Sequence, residues 1–143
     1  MTAESVVVDA SVAVRWTIEM PWSDRAEALI RSKLPLIAPE WIVAEVANAF
    51  LYAVRERTDR VQRALDGLEF LPRWFAALMP AMGLRHRAMA CALELDHPVY
   101  DCFYLALAEK ADCTYVTADE RFLRKVKGTL YGRRVVHLKD WRE

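Results

Sequence analysis

Apolar and polar positions fall in short blocks along this chain. The first block, Val6-Val7-Val8, is three β-branched residues closed by Asp9. Such an uninterrupted run predicts a strand buried on both faces, the habit of parallel sheets. Ala10 to Ile18 is helix-compatible, and Pro21 stops it. A second helix is expected to open at Ser23, whose hydroxyl can cap the first turn while Asp24 complements the positive helix end. Pro35 to Pro39 is a short apolar run bracketed by prolines and predicts a second strand. A long helix is predicted from Glu40 to Arg57, with Ile42, Val43, Val46, Phe50 and Val54 recurring at helical spacing. Asp59 is placed to cap a further helix reaching Glu69.

Phe70 to Gly83 is the least legible stretch. Pro72 and Pro80 bracket Trp74 to Met79, which has room for a short third strand. Leu84 to Leu95 reads as helix. Pro98 then stands where a missing N–H costs nothing, opening a helix to Ala111. Cys113 to Thr117 predicts a fourth strand ending at Ala118-Asp119; a short basic helix follows, and Arg134 to Leu138 is the last strand. Strands alternating with helices predict an α/β fold with a mainly parallel sheet.

The chain has 143 residues, 55% hydrophobic and 28% charged, which suits one domain over residues 1–143. Lys plus Arg (20) equals Asp plus Glu (20), so nucleic acid is not held by bulk charge. The balance is uneven, though: Glu120 to Glu143 carries eight basic against three acidic residues, the remainder twelve against seventeen. A polyanion is therefore expected to lean on the C-terminal part. Cys91, Cys102 and Cys113 form no paired motif, and Met1 to Ser5 lacks the basic start of a secretory signal; both predict a reducing cytoplasm. No apolar run approaches a membrane span, and His86, His97 and His137 make no zinc spacing with the cysteines.

The acids are the informative residues. Asp9 ends the first strand and Asp119 follows the fourth, so a parallel sheet puts both at one edge. Asp101 and Glu45 sit near the starts of two helices that return from that same edge. Two bare carboxylates ~4 Å apart repel by roughly 4 kcal/mol at an effective dielectric near 20. Compensation means protonation or cations, and hard oxygen ligands select Mg²⁺ or Mn²⁺. Each acid also has an ordinary explanation alone: Asp9 and Asp119 as helix caps, Asp101 as a dipole partner, Glu45 as an exposed helical acid.

Four segments in register carry a resemblance: Val-Val-Asp9-Ala-Ser11; Pro39-Glu40-Trp-Ile-Val-Ala-Glu45-Val-Ala-Asn48; Val99-Tyr100-Asp101-Cys-Phe-Tyr104; and Tyr115-Val-Thr117-Ala-Asp119-Glu-Arg121-Phe122. The chain resembles the PIN-domain ribonucleases, and among them the VapC-type toxins of toxin–antitoxin pairs. The resemblance implies a three-layer α/β/α sandwich and metal-dependent endonuclease action on RNA. It makes Asp9, Glu45, Asp101 and Asp119 the acidic quartet holding Mg²⁺ or Mn²⁺. It makes Ser11 and Thr117 small hydroxyls beside the site, and Asn48 a polar position one turn after Glu45. Phe122 and Leu123 stand where some relatives carry a further acid, with only Glu120 near, which counts against a fully occupied second metal site.

The resemblance further implies a growth-inhibiting toxin, a small antitoxin whose tail covers the pocket, and a homodimer. Leu71 to Met79 and the helix near Trp22 are the candidate dimer surfaces. Arg121, Arg124 and Arg15 are candidate phosphate contacts, although basic runs of this kind usually form a solvated face. His97 is expected to cap a helix or face solvent, Cys102 to pack as a small hydrophobe, and Trp16, Trp22, Trp41 and Trp74 to be core or interface residues rather than base-stacking platforms. Two competing readings keep the fold. One is a PIN-fold RNA-binding or interaction module without turnover. The other is a small-phosphoester hydrolase, disfavoured because Ser11 stands where an aspartyl-phosphate mechanism wants a second Asp.

Overall fold

A computed structural model describes residues 4–143 of the chain; Met1 to Ala3, and with them most of the Met1–Ser5 segment, lie outside the described residues. The elements run β1 (Val6–Val8), α1 (Ala10–Ala13), α2 (Ser23–Arg31), β2 (Leu36–Pro39), α3 (Ile42–Val54), α4 (Val61–Phe70), β3 (Ala77–Met79), α5 (Arg85–Leu95), α6 (Val99–Ala111), β4 (Thr114–Thr117), α7 (Glu120–Val126) and β5 (Val135–His137). The five strands among the described residues are all parallel, in the order β3-β2-β1-β4-β5. Each parallel step needs a crossover, and right-handed crossovers put α1 to α4 on one face and α5 to α7 on the other. Within those layers α1 packs on α3, α3 on α4, and α5 on α6. The expected three-layer α/β/α sandwich is what forms.

Val7 and Val8 have no exposure at all, because β1 is central and covered on both faces. That explains the unbroken β-branched run. β1 and β4 pair Val6 with Thr114, Val7 with Tyr115 and Val8 with Val116. The crossovers leave β1 in one direction and return beyond it in the other, so the crevice at the carboxyl ends of β1 and β4 is the topological switch point. Asp9 stands there.

Several local expectations shift. Ser23 does not cap its own helix. Trp22 occupies the cap in the left-handed region (φ 71°), and the Ser23 hydroxyl instead accepts from the Met20 N–H at 2.9 Å. Asp59 does not cap α4 either: it takes a two-pronged ion pair from Arg57 (3.0 and 3.1 Å) beside the short 3₁₀ turn Thr58–Arg60. The third strand exists as Ala77–Met79, a three-residue edge strand on β2. In the aromatic segment before it Leu71 and Phe75 are buried and Trp74 packs on Trp16 (5.1 Å between rings) and Phe70 (5.0 Å), while Pro72, Arg73 and Ala76 are exposed. Trp22 stays exposed. Gly67 lets α4 close on the turn after α1, since a Cβ there would lie 2.3 Å from the Thr17 hydroxyl. No helix among the described residues is long and apolar enough to cross a membrane.

Candidate active site at the carboxyl edge of the sheet

Asp9 is 4% exposed and has no cationic partner within bonding distance among the described residues. Its Oδ1 caps α1, accepting from the Ser11 N–H (3.0 Å), the Ser11 hydroxyl (2.5 Å) and the Val12 N–H (3.4 Å). Its Oδ2 accepts from the Tyr115 hydroxyl (2.7 Å) and the Thr117 hydroxyl (2.5 Å). The β1–β4 register explains the last two donors, since Tyr115 and Thr117 point to the same side of β4. Burial raises the Asp9 pKa above the ordinary carboxylate value, and the hydrogen bonds offset that only in part.

The two small hydroxyls are spent in both directions. Ser11 Oγ accepts from the Ala118 N–H (2.9 Å), and Thr117 Oγ1 accepts from the Asp119 N–H (3.0 Å). Asp9 is thereby tied to the turn that presents Asp119. Asp119 in turn caps α7, its Oδ1 accepting from the N–H groups of Arg121 (2.9 Å) and Phe122 (3.3 Å). The capping explanations for Asp9 and Asp119 are therefore both correct, and capping fixes where each carboxylate points.

Glu45 lies in the first turn of α3 and accepts from the Tyr104 hydroxyl at 2.5 Å. Burial raises its pKa, and the charges of Asp9 and Asp101 raise it further. Asp101, in the first turn of α6, is pushed up to about 6, first by burial and then by Asp9 and Asp119. His97 corrects an expectation. Its side chain is 6% exposed, and Nε2 lies 2.7 Å from Asp101 Oδ2, so it is neither a cap nor a solvent group. Asn48 sits one turn after Glu45 and is exposed. Cys102 is buried, as expected of a small hydrophobe.

Beneath the acids runs a contiguous series of rings. Tyr104 stacks on Tyr115 (5.8 Å, 20°), Tyr115 meets Phe122 (5.8 Å), and Phe122 meets His97 (5.1 Å). Sequence reasoning missed Tyr104, Tyr115 and His97 as holders of carboxylates. The available signal was spacing: Tyr104 is one turn after Asp101, and Tyr115 shares a strand face with Thr117. Burial raises both phenols above their ordinary range, so they act as donors throughout.

The charges of Asp9 and Asp101 thus raise the proton affinity of Glu45, those of Asp9 and Asp119 raise that of Asp101, and the only ion-pair partner of any of the four acids among the described residues is His97. That donor set fits a hard divalent cation. No three Asp, Glu, His or Cys side chains among the described residues come together as a ready-made metal-holding group. Mg²⁺ has little need of one, since it keeps several waters and is usually bound through one or two carboxylates. Basic groups flank the acids: His97, Arg121, Arg124 and Lys125 line a pocket of about 240 Å³. Arg15 is held by the carbonyls of Pro21 (2.7 Å) and Ser11 (2.5 Å) and so is fixed beside Asp9. A hollow of about 520 Å³ between α7 and β5 has none of the four acids in its lining.

The sequence profile of the PIN domain matches residues 6–128, a span that includes all four acids. Ribonuclease VapC3 of Pyrobaculum aerophilum is 32% identical over 122 residues, covering 84% of this chain and 93% of that protein. The crystal structure of PAE2754 from Pyrobaculum aerophilum superposes with a TM-score of 0.67 at 22% identity, covering 94% of this chain and 91% of that one, a likeness of fold. A profile spanning the acid edge and a relative matched almost end to end give one answer: this chain belongs to the PIN domain family, in its VapC-type branch.

Proposed function

We propose that this chain is a single-domain, metal-dependent endoribonuclease, the toxin of a VapBC-type pair acting in the cytoplasm. The observation that carries the reading is the gathering of Asp9, Glu45, Asp101 and Asp119 at the switch point with one imidazole to offset them. Mg²⁺ or Mn²⁺ bound by these carboxylates supplies charge neutralisation at a phosphodiester and a water of lowered pKa. The protein's own groups do the rest. Ser11, Thr117 and Tyr115 lock the Asp9 carboxylate in place. Tyr104 holds Glu45, and His97 orients Asp101. Asn48 offers a polar group one turn beyond Glu45. Arg121 and Arg124, with Arg15 behind Asp9, grip phosphates flanking the cleaved bond.

The same proposal includes RNA as substrate, a small cognate antitoxin that covers the acid edge, and a homodimer. Its test is an RNA pool incubated with the purified protein. Internal cuts are expected in Mg²⁺ or Mn²⁺, none in EDTA, and none from a folded Asp101→Asn variant. Induced expression is expected to arrest growth, with arrest relieved by the co-expressed antitoxin. That no three such side chains among the described residues form a metal-holding group favours the competing reading, a PIN-fold module without turnover. Bound but uncut RNA under every metal condition decides for that module.

A further inference from the structure

The ring series under the acids does not stop at Tyr104. It continues through Trp41 (5.8 Å from Tyr104) to Tyr100 (5.4 Å from Trp41, 39° between planes), while Phe103 meets Trp41 edge-on at 5.6 Å and 74°. Tyr104, Tyr115 and Phe122 are buried and Trp41 and Phe103 are half-buried; Tyr100 is exposed. The residue is 60% exposed, although it immediately precedes Asp101 in the first turn of α6. The other end of the series is His97, which opens on the basic pocket of Arg121, Arg124 and Lys125. The acid edge therefore lies between an exposed aromatic face and a cluster of cations.

We infer that Tyr100, backed by Trp41, is a stacking platform for an unpaired nucleobase next to the phosphate held at the acids. This rests on the nuclease reading and deepens it by naming a residue that holds a base beside the phosphate at the acids. A base inside a duplex is already stacked on its neighbours and has no face to offer, whereas splayed bases are taken up on aromatic rings. Tyr100 suits that task. Its ring is propped by Trp41, so little conformational freedom is lost on binding, and a base on its open side extends a stack that already exists. The platform reads bases by their faces and is tolerant of sequence. The cation pocket at the opposite end takes the backbone, which gives a bound strand one direction across the site.

The test is the affinity of a short single-stranded RNA in Mg²⁺, read by fluorescence anisotropy in an Asp119→Asn background so that the strand stays whole. Tyr100→Leu is expected to weaken binding about tenfold, while Tyr100→Phe, which keeps a ring, stays within about twofold. A strand of the same length with abasic nucleotides is expected to bind the Tyr100 protein as weakly as the intact strand binds Tyr100→Leu. Equal affinity across the three proteins, or equal affinity for intact and abasic strands, overturns the platform. So does a Tyr100→Leu protein with unchanged RNA affinity and altered sedimentation, which would place Tyr100 in a protein interface. The nuclease reading fails separately, if the unsubstituted protein leaves the strand uncut in Mg²⁺ and Mn²⁺; that result leaves the affinity comparison standing.

Discussion

The carboxyl edge of the sheet and the α3–α4 hairpin break the usual partition of polar and apolar groups in opposite ways. At the sheet edge Asp9, Tyr115 and Thr117 are buried, and both oxygens of the Asp9 carboxylate accept hydrogen bonds. Along the hairpin Leu51, Val61 and Leu65 are 50%, 40% and 56% exposed, around an apolar hollow of about 200 Å³ floored by Phe50 and Ala64. The first arrangement loses electrostatic stability to gain position; the carboxylates are held at fixed angles and kept short of counter-charge. The second loses nothing in the isolated chain, because an exposed leucine is merely unburied. Changes at the edge should therefore alter chemistry more than folding, and changes in the hairpin should do the reverse.

Asp9→Asn is the sharpest way to break that contrast. RNA cleavage should fall by roughly a thousandfold or more, equivalent to several kcal/mol, while the melting temperature in EDTA holds or rises. Single-turnover cleavage and a thermal melt check both halves; cleavage at the wild-type rate removes Asp9 from its assigned role. In the hairpin, Phe50→Ala is expected to lower stability by about 3–5 kcal/mol in urea unfolding, with the cleavage rate per folded molecule unchanged. Metal should act at one region only. At a hundred times its Kd, Mg²⁺ or Mn²⁺ should stabilise the protein by about 2.7 kcal/mol, an effect Asp101→Asn diminishes and Phe50→Ala leaves intact.

Proton uptake sharpens the picture next. Asp101 has its pKa raised from 3.8 to about 6, so the folded chain binds that proton more tightly than the unfolded one. The stability this group lends is present below 3.8 and lost as pH rises towards about 6; Asp9 and Glu45 are shifted the same way. Metal needs the carboxylates ionised, so metal affinity should climb across that same window as metal-free stability declines. Urea titrations with and without Mg²⁺ should show the opposing trends, with the Asp101→Asn curve flatter. The smallest effect belongs to Leu65→Gln, which should change stability by no more than about 0.5 kcal/mol. A larger loss would mean that the hairpin face is covered in solution.

The layers and the four acids were legible in the sequence because both depend on chain order. An unbroken Val6–Val8 run signals a strand covered twice, and a parallel sheet then delivers every strand end to one edge. What was misread depends on direction within a turn. Ser23 and Asp59 are good caps by residue type. The left-handed backbone at Trp22 and the proximity of Arg57 send their side chains elsewhere. His97, Tyr104 and Tyr115 escaped for a related reason: a phenol or imidazole is ordinary core material until packing shows which carboxylate its polar atom reaches. The edge strand Ala77–Met79 was faint because three half-buried residues beside Pro80 carry almost no periodicity.

The pairing of β1 with β4 sets the timetable of synthesis. Asp9 leaves the ribosome before its hydrogen-bond partners Tyr115 and Thr117, which follow 106 and 108 residues later. Contacts that distant are slow to close and cannot form on a partial chain. A nascent chain that has released the segment from Asp9 to Cys102 thus carries three of the four acids but no β4 to arrange them. The acid edge is assembled only once the segment bearing β4 and Asp119 has followed.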